Sequence, residues 1–404
     1  MKLHYGLLLL LAAGQAAWAA APPAAPSPDL AQAVAGSNAF ALDLYSQLDA
    51  VPGNLFFSPE SISTAFAMAY AGAHGQTAAE MAHVFHFTLP PDRLHPAMGA
   101  LLAAMNAPHQ NYALSVANAL WAQQDQHFLP AYTGLMKDSY GAGFHAVDFQ
   151  SSPEAARATI NAWVEKQTAN KIQNLLGPGA VTPFTRLILT NAIYFKGAWL
   201  NPFDPRDTEP EDFHLSPKQT VKTPMMWRSG GFDYYDGGTF QALDIPYKGG
   251  GLSMVVLLPN AANGLAALEK SLSAANLSQW LDKMEYTTKV NLSLPKFKMA
   301  QEFSLGSTLS AMGMPQAFSG AADFSGIDGQ PGFTISAAIH KAFVDVNETG
   351  TEAAAATAIE MMATAMRDEP PPIEFNANHP FLFLIRDNAS GAILFMGRVA
   401  DPTK

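Results

Sequence analysis

Three observations in the sequence predict an α+β protein with one large domain. Helical patterns dominate the first half of the chain and strand patterns the second, which is the order typical of α+β folds. Of the 404 residues, 49% are hydrophobic and only 14% are charged, enough apolar material for an extensive core. No linker, repeat or charge block beyond the N-terminal region marks a domain boundary. We therefore expect a single domain over residues 37–404.

The first 36 residues are predicted to lie outside that domain. Lys2, the apolar run of residues 7–13 and the small residues around Ala19 follow the order of a secretory signal, so we expect a signal peptide over residues 1–19. An N-terminal membrane anchor is the alternative, but the run is too short to span a bilayer comfortably. Residues 20–36, which begin Ala/Pro-rich, are expected to be a disordered leader. The predicted location is secreted, either extracellular or periplasmic.

Helices are predicted where apolar residues recur at helical spacing behind a capping residue. One helix is expected to start at Ser37 or Asn38, and a second at a capping box from Thr77 to Glu80. The apolar positions of these two helices are Phe40, Leu44, Leu48, Met81, Val84 and Phe85.

Strands are predicted where β-branched and aromatic residues alternate or cluster between turn residues. The clearest are residues 187–195, 253–258 and 290–294, followed by a hairpin over 381–399 that turns at 387–391. We expect these strands to form the sheets of the second half.

Composition excludes several functions. Lys and Arg number 23 against 34 Asp and Glu, a formal net charge of −11, so neither nucleic acid nor an anionic membrane surface is an expected partner. There are no cysteines, which excludes disulfides, thiol catalysis and thiolate metal sites. His83 and His86 are three residues apart on a predicted helix, but without carboxylates they predict no metal site. We expect no metal and no cofactor.

One segment follows neither the helical nor the strand pattern. About thirty residues separate the predicted strand 341–346 from the hairpin that begins near Phe375, and a loop of that length in a compact domain is functional or disordered. Its alanines at 353–356 suit a helix. As a strand, it would place a row of small or apolar side chains on one face, namely Thr351, Ala353, Ala355, Thr357 and Ile359. An exposed Ala-rich linker is the remaining interpretation.

Five segments in chain order resemble the serpin family and cover nearly all of the chain after residue 37. They are residues 54–62 (NLFFSPESI), 190–199 (TNAIYFKGAW), 339–342 (IHKA), 348–357 (ETGTEAAAAT) and 375–402, which includes FNANHPFLF and FMGRVADP. The resemblance implies a large central mixed sheet, two further sheets, about eight to nine helices and an exposed reactive-centre loop. With the signal peptide, it implies a secreted member of bacterial type.

The activity implied by this resemblance is irreversible inhibition of a serine, or possibly a cysteine, protease. The protease attacks the loop, an acyl-enzyme forms, and the cleaved loop enters the central sheet before the ester can hydrolyse. Fifteen inserted residues would span about 50 Å, enough to carry an attached enzyme across the molecule. The native state is then held by kinetics. The alternative is a non-inhibitory serpin-fold carrier or chaperone that is cleaved only as a substrate.

The hinge of the loop favours inhibition. By resemblance, its residues are Glu348, Gly350, Thr351, Glu352, Ala353, Ala354, Ala355, Ala356 and Thr357. No large or charged side chain falls on the inward face, where burial without a partner would cost several kcal/mol.

The scissile bond has two candidates. Counting seventeen residues from Glu348 places it at Thr364 and Ala365, whereas counting back from Phe375 favours Met366 and Arg367. We prefer the first because insertion geometry fixes the hinge side. The small side chains around it suit a shallow specificity pocket, as in elastase-like or subtilisin-like proteases.

Two further groups of residues follow from the resemblance. Ser58, Ser61, Asn191 and His340 match the family's buried shutter beneath the central sheet, and Trp199, Lys296 and Glu348 match its breach, where the loop first enters. Ser, His and Asn could also form a hydrolase triad, but no Gly-x-Ser-x-Gly elbow is present. We therefore expect no catalytic residues, no enzyme activity, and a monomer whose partner is the target protease.

Overall fold

The computed structural model describes residues 26–141, 143–330, 332–351 and 371–404. The helices in these residues are α1 (Pro28–Leu48), α2 (Pro59–Tyr70), α3 (Gly75–Val84), α4 (Pro91–Asn106), α5 (Pro130–Tyr140), α6 (Pro153–Gln167), α7 (Leu265–Ser271), α8 (Ala274–Asp282) and α9 (Leu305–Met312). The strands are β1 (Leu55–Phe57), β2 (Tyr112–Gln123), β3 (Phe144–Val147), β4 (Leu187–Ala198), β5 (Thr208–Ser216), β6 (Gln219–Asp236), β7 (Phe240–Pro246), β8 (Leu252–Pro259), β9 (Glu285–Pro295), β10 (Phe297–Ser304), β11 (Ile335–Asn347), β12 (Gly350–Thr351), β13 (Ile373–Asn376), β14 (Phe381–Asp387) and β15 (Ile393–Val399).

The predicted α+β fold and its large mixed sheet are confirmed. Six strands in the order β10-β11-β12-β4-β2-β3 form this sheet, with β11 parallel to β4, β2 parallel to β3, and the remaining pairs antiparallel. The two further sheets form one nine-stranded network, because the 18-residue strand β6 pairs with β5 along its first part, with β9 from Met225 to Tyr234, and with β7 at its end.

Helix α2 lies between the two sheets. It packs against β2 and β4 on one side and against β15 on the other. Every residue of α2 except Tyr70 is buried, because both of its faces contact a sheet. The first turn of this helix therefore lies directly beneath the centre of the six-stranded sheet.

Helix α1 begins earlier than the sequence predicts. Ser27 caps it, and residues 28–36, assigned to a disordered leader, form its first turns with Val34 buried. Asn38 does not cap a helix. Its side chain donates to the Gly391 carbonyl and accepts from the Ile393 amide, which ties α1 to the β14–β15 turn. The leader prediction is wrong for residues 28–36, while residues 1–25 lie outside the described part of the chain.

The predicted start of the second helix is also wrong. Helix α3 begins at Gly75, and Thr77 Oγ1 accepts a hydrogen bond from the Asp323 amide instead of capping the helix. Glu80 accepts from the Gln316 amide at 3.0 Å. Both side chains of the supposed capping box thus bind the loop that follows α9. The predicted strands are confirmed as β4, β8, β9, β14 and β15.

Candidate functional site

The beginning of the hinge forms a strand inside the six-stranded sheet. β12 lies between β11 and β4 and runs antiparallel to both, so that Thr351 pairs with Val346 on one side and with Gly197 on the other. In the direction that β12 runs, β11 and β4 close up and pair with each other in parallel, from Phe343 opposite Tyr194 onward. Thr351 therefore lies at the end of the line along which β4 and β11 pair directly. We call this line of β4–β11 pairing the seam, and the end beside Thr351 its head.

Both residues of β12 are closely packed. Gly350 has a φ of 151°, and a Cβ atom there would lie 2.0 Å from the Gly197 carbonyl oxygen, so only glycine fits. Thr351 is completely buried, and its Oγ1 lies 2.6 Å from the Tyr247 hydroxyl. Any larger side chain at Thr351 would have to displace the ring of Tyr247 or leave the sheet.

The three predicted breach residues lie together just before β12. Lys296 Nζ is 2.9 Å from the Glu348 carboxylate. The Trp199 indole donates to the Asn347 carbonyl at 3.0 Å, and its backbone amide donates to the Thr349 carbonyl at the same distance. Trp199 is 1% exposed. These contacts fix residues 347–349, just before β12, through both side-chain and backbone groups.

The charge at the breach is stabilised by hydrogen bonding. Burial by itself would raise the pKa of Glu348, but the hydrogen bond from Lys296 and one from its own backbone amide hold that pKa below its usual value. The carboxylate therefore stays ionised at neutral pH and keeps its ion pair. The side chain of Lys296 is 38% exposed, so solvent screens the pair in part.

The four predicted shutter residues form one buried polar cluster under the sheet. Asn191 and His340 are neighbours on β4 and β11, and their side chains are hydrogen-bonded to each other. The Asn191 amide group also donates to Ser61 Oγ at 2.6 Å. Ser58, the cap of α2, donates its backbone N–H to His340 Nε2 at 3.1 Å. The cluster therefore bridges β4, β11 and the first turn of α2.

The hydrogen bonds around His340 fix its protonation. Nε2 accepts from a backbone N–H, so Nδ1 carries the proton and donates to the Asn191 carbonyl oxygen. Burial lowers the pKa of His340 to about 3, so the ring is neutral at physiological pH. The neutral ring completes the cluster without introducing a buried charge.

Asn118, on β2, belongs to this cluster and was missed from the sequence. Its side chain accepts from Ser61 Oγ at 3.1 Å, donates to the Ser61 carbonyl at 3.0 Å and is also hydrogen-bonded to Asn191. The available signal was a polar residue inside the otherwise apolar run of residues 116–122, and a buried polar group needs partners. Tyr247, which binds Thr351, carried no comparable signal.

The geometry of the cluster does not form a hydrolase triad. Ser58 Oγ donates to the Leu394 carbonyl at 2.6 Å, and Ser61 Oγ donates to Asn118. Neither hydroxyl donates to His340, whose acceptor nitrogen is occupied by a backbone amide. A serine nucleophile needs its hydroxyl on the base nitrogen, so this arrangement has no activated nucleophile.

Several predicted site residues lie outside the described part of the chain. They are Glu352, Ala353, Ala354, Ala355, Ala356 and Thr357 of the hinge, with Thr364, Ala365, Met366 and Arg367 of the two candidate scissile bonds. Within the described ranges, no group of three or more metal-binding side chains occurs. No described helix is long and apolar enough to cross a bilayer.

The fold and this site define a class of proteins in which a short strand enters between two strands of a large mixed sheet above a buried polar cluster. The family model for Serpin (serine protease inhibitor) matches residues 35–402, and the chain belongs to that family. The match explains why the breach and shutter segments are all present and in order.

Individual relatives agree with this assignment. "Iris" of Ixodes ricinus is 43% identical over 368 residues, covering 90% of this chain and 97% of its own. The leukocyte elastase inhibitor of Homo sapiens is 41% identical over 375 residues, with the same two coverages. The crystal structure of human thyroxine-binding globulin in complex with thyroxine superposes with a TM-score of 0.84 at 30% identity, covering 93% of this chain and all of that one.

Proposed function

We propose that this protein is an irreversible inhibitor of serine proteases that traps its target by inserting the cleaved reactive loop into the six-stranded sheet. The observation that carries the proposal is β12, since the hinge already occupies the head of the seam between β4 and β11. Insertion would extend this strand along the same seam. The relation to leukocyte elastase inhibitors supports a protease as the partner.

The observed register defines where each inserted residue would lie. Continuing from Thr351 opposite Gly197 and Val346, the sixth residue onward, Thr357, would come between Asn191 and His340. Insertion to that depth must break the side-chain hydrogen bond between these two residues. The cluster thus supports a role as the barrier that closes the seam, and the tenth residue onward would reach Leu187 at the start of β4.

The side-chain pattern of the loop suits this path. Because Thr351 faces the interior, alternation would place every second residue after it inward. The inward residues are Ala353, Ala355, Thr357, Ile359 and Met361, and the outward ones include Glu352 and Glu360. No charge would be buried, and each inserted residue would exchange one parallel strand pairing for two antiparallel ones. The free energy of insertion is therefore favourable over the whole seam.

The target is proposed to be an elastase-like or subtilisin-like serine protease that cleaves between Thr364 and Ala365. The small side chains around this bond suit a shallow specificity pocket. The protein itself is proposed to act as a monomer without catalytic residues.

Incubation with a panel of elastase-like, subtilisin-like, chymotrypsin-like and trypsin-like proteases tests both parts. We expect a covalent adduct on denaturing gels. We also expect a released C-terminal fragment whose intact mass corresponds to a chain that begins at Ala365. A fragment beginning after Met366 or Arg367 would refute the bond assignment alone. Cleavage without an adduct across the whole panel would refute inhibition.

A carrier function is the second candidate, because thyroxine-binding globulin, whose structure contains bound thyroxine, has the same fold with a TM-score of 0.84. Under that function the loop is cleaved as an ordinary substrate and no adduct forms. The same gel experiment therefore separates the two functions.

We also propose that the protein is secreted, on the basis of the predicted signal at residues 1–19. Expression of the full chain, followed by fractionation and N-terminal sequencing, tests this. Secreted protein that begins near Ala20 supports the proposal, and full-length protein retained in the cytoplasm contradicts it.

A further inference from the structure

One buried tyrosine connects the nine-stranded network to the hinge. Tyr247 comes directly after β7, in the turn that leads to β8, and it is fully buried. Its hydroxyl lies 2.6 Å from Thr351 Oγ1 on β12. Among the described residues, neither of these two hydroxyls has another hydrogen-bond partner. A side chain from one sheet thus binds the first strand of the loop in the other.

The ring of Tyr247 is held in place by its neighbours. It stacks on the Trp199 indole, with the ring centroids 4.6 Å apart, and meets the Phe195 ring edge to face at 5.0 Å. The turn that carries Tyr247 is also fixed to the end of β4, because the Lys248 amide donates to the Ala198 carbonyl at 2.7 Å. The hydroxyl is therefore a preformed partner for the side chain that enters with β12.

The pair of hydroxyls makes this position selective for a hydroxyl side chain. Thr351 and Tyr247 are both completely buried, so removal of one hydroxyl leaves the other buried without a partner. Removal of both leaves an apolar contact of the same shape, which is close to neutral. The effects of the two changes are therefore expected to be strongly non-additive.

The pair also distinguishes the observed register of β12 from its neighbours. A shift of one residue in either direction would bring Gly350 or Glu352 to the place of Thr351, opposite Gly197. Glycine offers no side-chain hydroxyl, and a glutamate would have to bury its carboxylate against Tyr247. The Tyr247 hydroxyl therefore finds a neutral partner in the observed register and not in the adjacent ones.

We propose that Tyr247 is a positioning residue that retains β12 in the six-stranded sheet of the uncleaved protein by binding the Thr351 hydroxyl. The part that this contact plays in inhibition rests on the proposed function, because insertion would continue from a strand that is already in register. The retention itself is a property of the intact protein and is measured without a protease.

Amide hydrogen exchange of the intact protein tests the retention, read in peptides that contain Gly350 and Thr351. The variants are Tyr247→Phe, Thr351→Val and the double variant. Tyr132→Phe is the matched control, because Tyr132 is also buried and its hydroxyl donates to the Met68 carbonyl at 3.0 Å. We expect exchange to be about tenfold faster in each single variant, since release of β12 lets water reach the unpaired hydroxyl. The double variant and Tyr132→Phe should stay within about twofold of the parent.

The same variants test the consequence for inhibition with a protease that forms the adduct. A released hinge delays insertion, so that more of the acyl-enzyme hydrolyses before the protease is trapped. We therefore expect the stoichiometry of inhibition to rise in Tyr247→Phe and in Thr351→Val, and to return towards the parental value in the double variant.

Exchange in both single variants that stays within about twofold of the parent would overturn the proposal. A double variant in which the two accelerations multiply would also overturn it, because the hydroxyls would then act independently. Equal acceleration in Tyr132→Phe would reduce the effect to a general loss of stability and contradict the assigned role. If exchange changes as expected but no protease forms an adduct, the inhibitory function fails while the retention of β12 stands.

Discussion

At the scale of single residues, Thr351 is the position from which the proposed loop insertion would continue, so its side-chain size and charge should affect that insertion. It is fully buried between β4 and β11, and its hydroxyl is hydrogen-bonded to the Tyr247 hydroxyl. In Thr351→Arg, a charge without a partner would have to enter this site, at a cost of several kcal/mol. We expect the variant to lose the covalent adduct and to be cleaved as a substrate, as read on denaturing gels with the target protease.

Thr351→Ser is the matched control, since it keeps the hydroxyl and removes one methyl group. Its stoichiometry of inhibition should stay near that of the parent. Adduct formation by Thr351→Arg at the parental level would contradict the assignment of β12 as the first inserted strand.

Glu60 gives a second prediction at this scale, on how the stability of the fold depends on pH. This α2 residue is fully buried between the shutter serines, and its Oε2 atom has no hydrogen-bond partner among the described residues. Burial raises the pKa of Glu60 to about 7. Between its ordinary value and pH 7 the native state therefore binds more protons than the unfolded state, and stability falls as pH rises, by at most about 1.4 kcal/mol per pH unit.

Glu60→Gln removes this titration. We expect its melting temperature relative to the parent to be higher at pH 8 than at pH 5, because the parent alone must bury a charge at pH 8. The exposed Glu285→Gln serves as control. His95 and His340 have pKa values lowered by burial to about 4 and 3, so both rings are neutral at pH 5 and at pH 8 and the difference isolates Glu60. A melting-temperature difference between Glu60→Gln and the parent that is equal at the two pH values would contradict the prediction.

The sequence predicted most of the site at this scale, but through motifs and not through physics. Ser58, Ser61, Asn191 and His340 lie in segments that resemble a family pattern, and the structure brings them together. Asn118 on β2 and Tyr247, just after β7, are far apart in sequence from their partners Ser61 and Thr351. Such long-range contacts depend on sheet register, which a single sequence does not specify.

At the scale of elements, local sequence signals predicted the interiors of helices and strands more accurately than their ends. The start of α1 was missed because the Ala/Pro-rich composition before it indicates disorder, while its helix is stabilised by packing. Val34 is 3% exposed, and a Cβ atom at Gly36 would lie 2.6 Å from the His86 carbonyl oxygen. Tertiary contact thus decides where this helix begins, as it does for most helices.

Truncation tests the contribution of these turns. A chain that starts at Ser37 loses nine residues of α1, including the buried Val34 and the Asp29 carboxylate that pairs with Arg93. Burying a side chain such as valine is worth about 1.5–3 kcal/mol. We expect the melting temperature to fall by several degrees relative to a chain that starts at Pro26, as measured by calorimetry. Equal melting temperatures would show that these first turns of α1 add nothing to the stability of the fold.

At the scale of the whole molecule, the proposed function requires the six-stranded sheet to accept a further strand between β11 and β4. β12 fills two residues of the space between β11 and β4, while the rest of that seam is closed by one parallel pairing and the hydrogen bond between Asn191 and His340. A native state with an available lower-energy arrangement persists only because a barrier separates the two. Under the proposed function, breaking the buried shutter cluster would supply such a barrier.

Cutting the loop without trapping a protease tests this directly. Ten further residues inserted as far as Leu187 would gain on the order of ten backbone hydrogen bonds, each worth about 1 kcal/mol net. At about 2 °C per kcal/mol for a large domain, the melting temperature of the cleaved protein should rise by roughly 20 °C. Cleaved Thr351→Arg should show little of this rise, because its first residue cannot enter the seam. An unchanged melting temperature after a cut confirmed by mass within residues 352–370 would mean that the closed sheet is already the lowest state, and that β12 is the full extent of insertion in this chain.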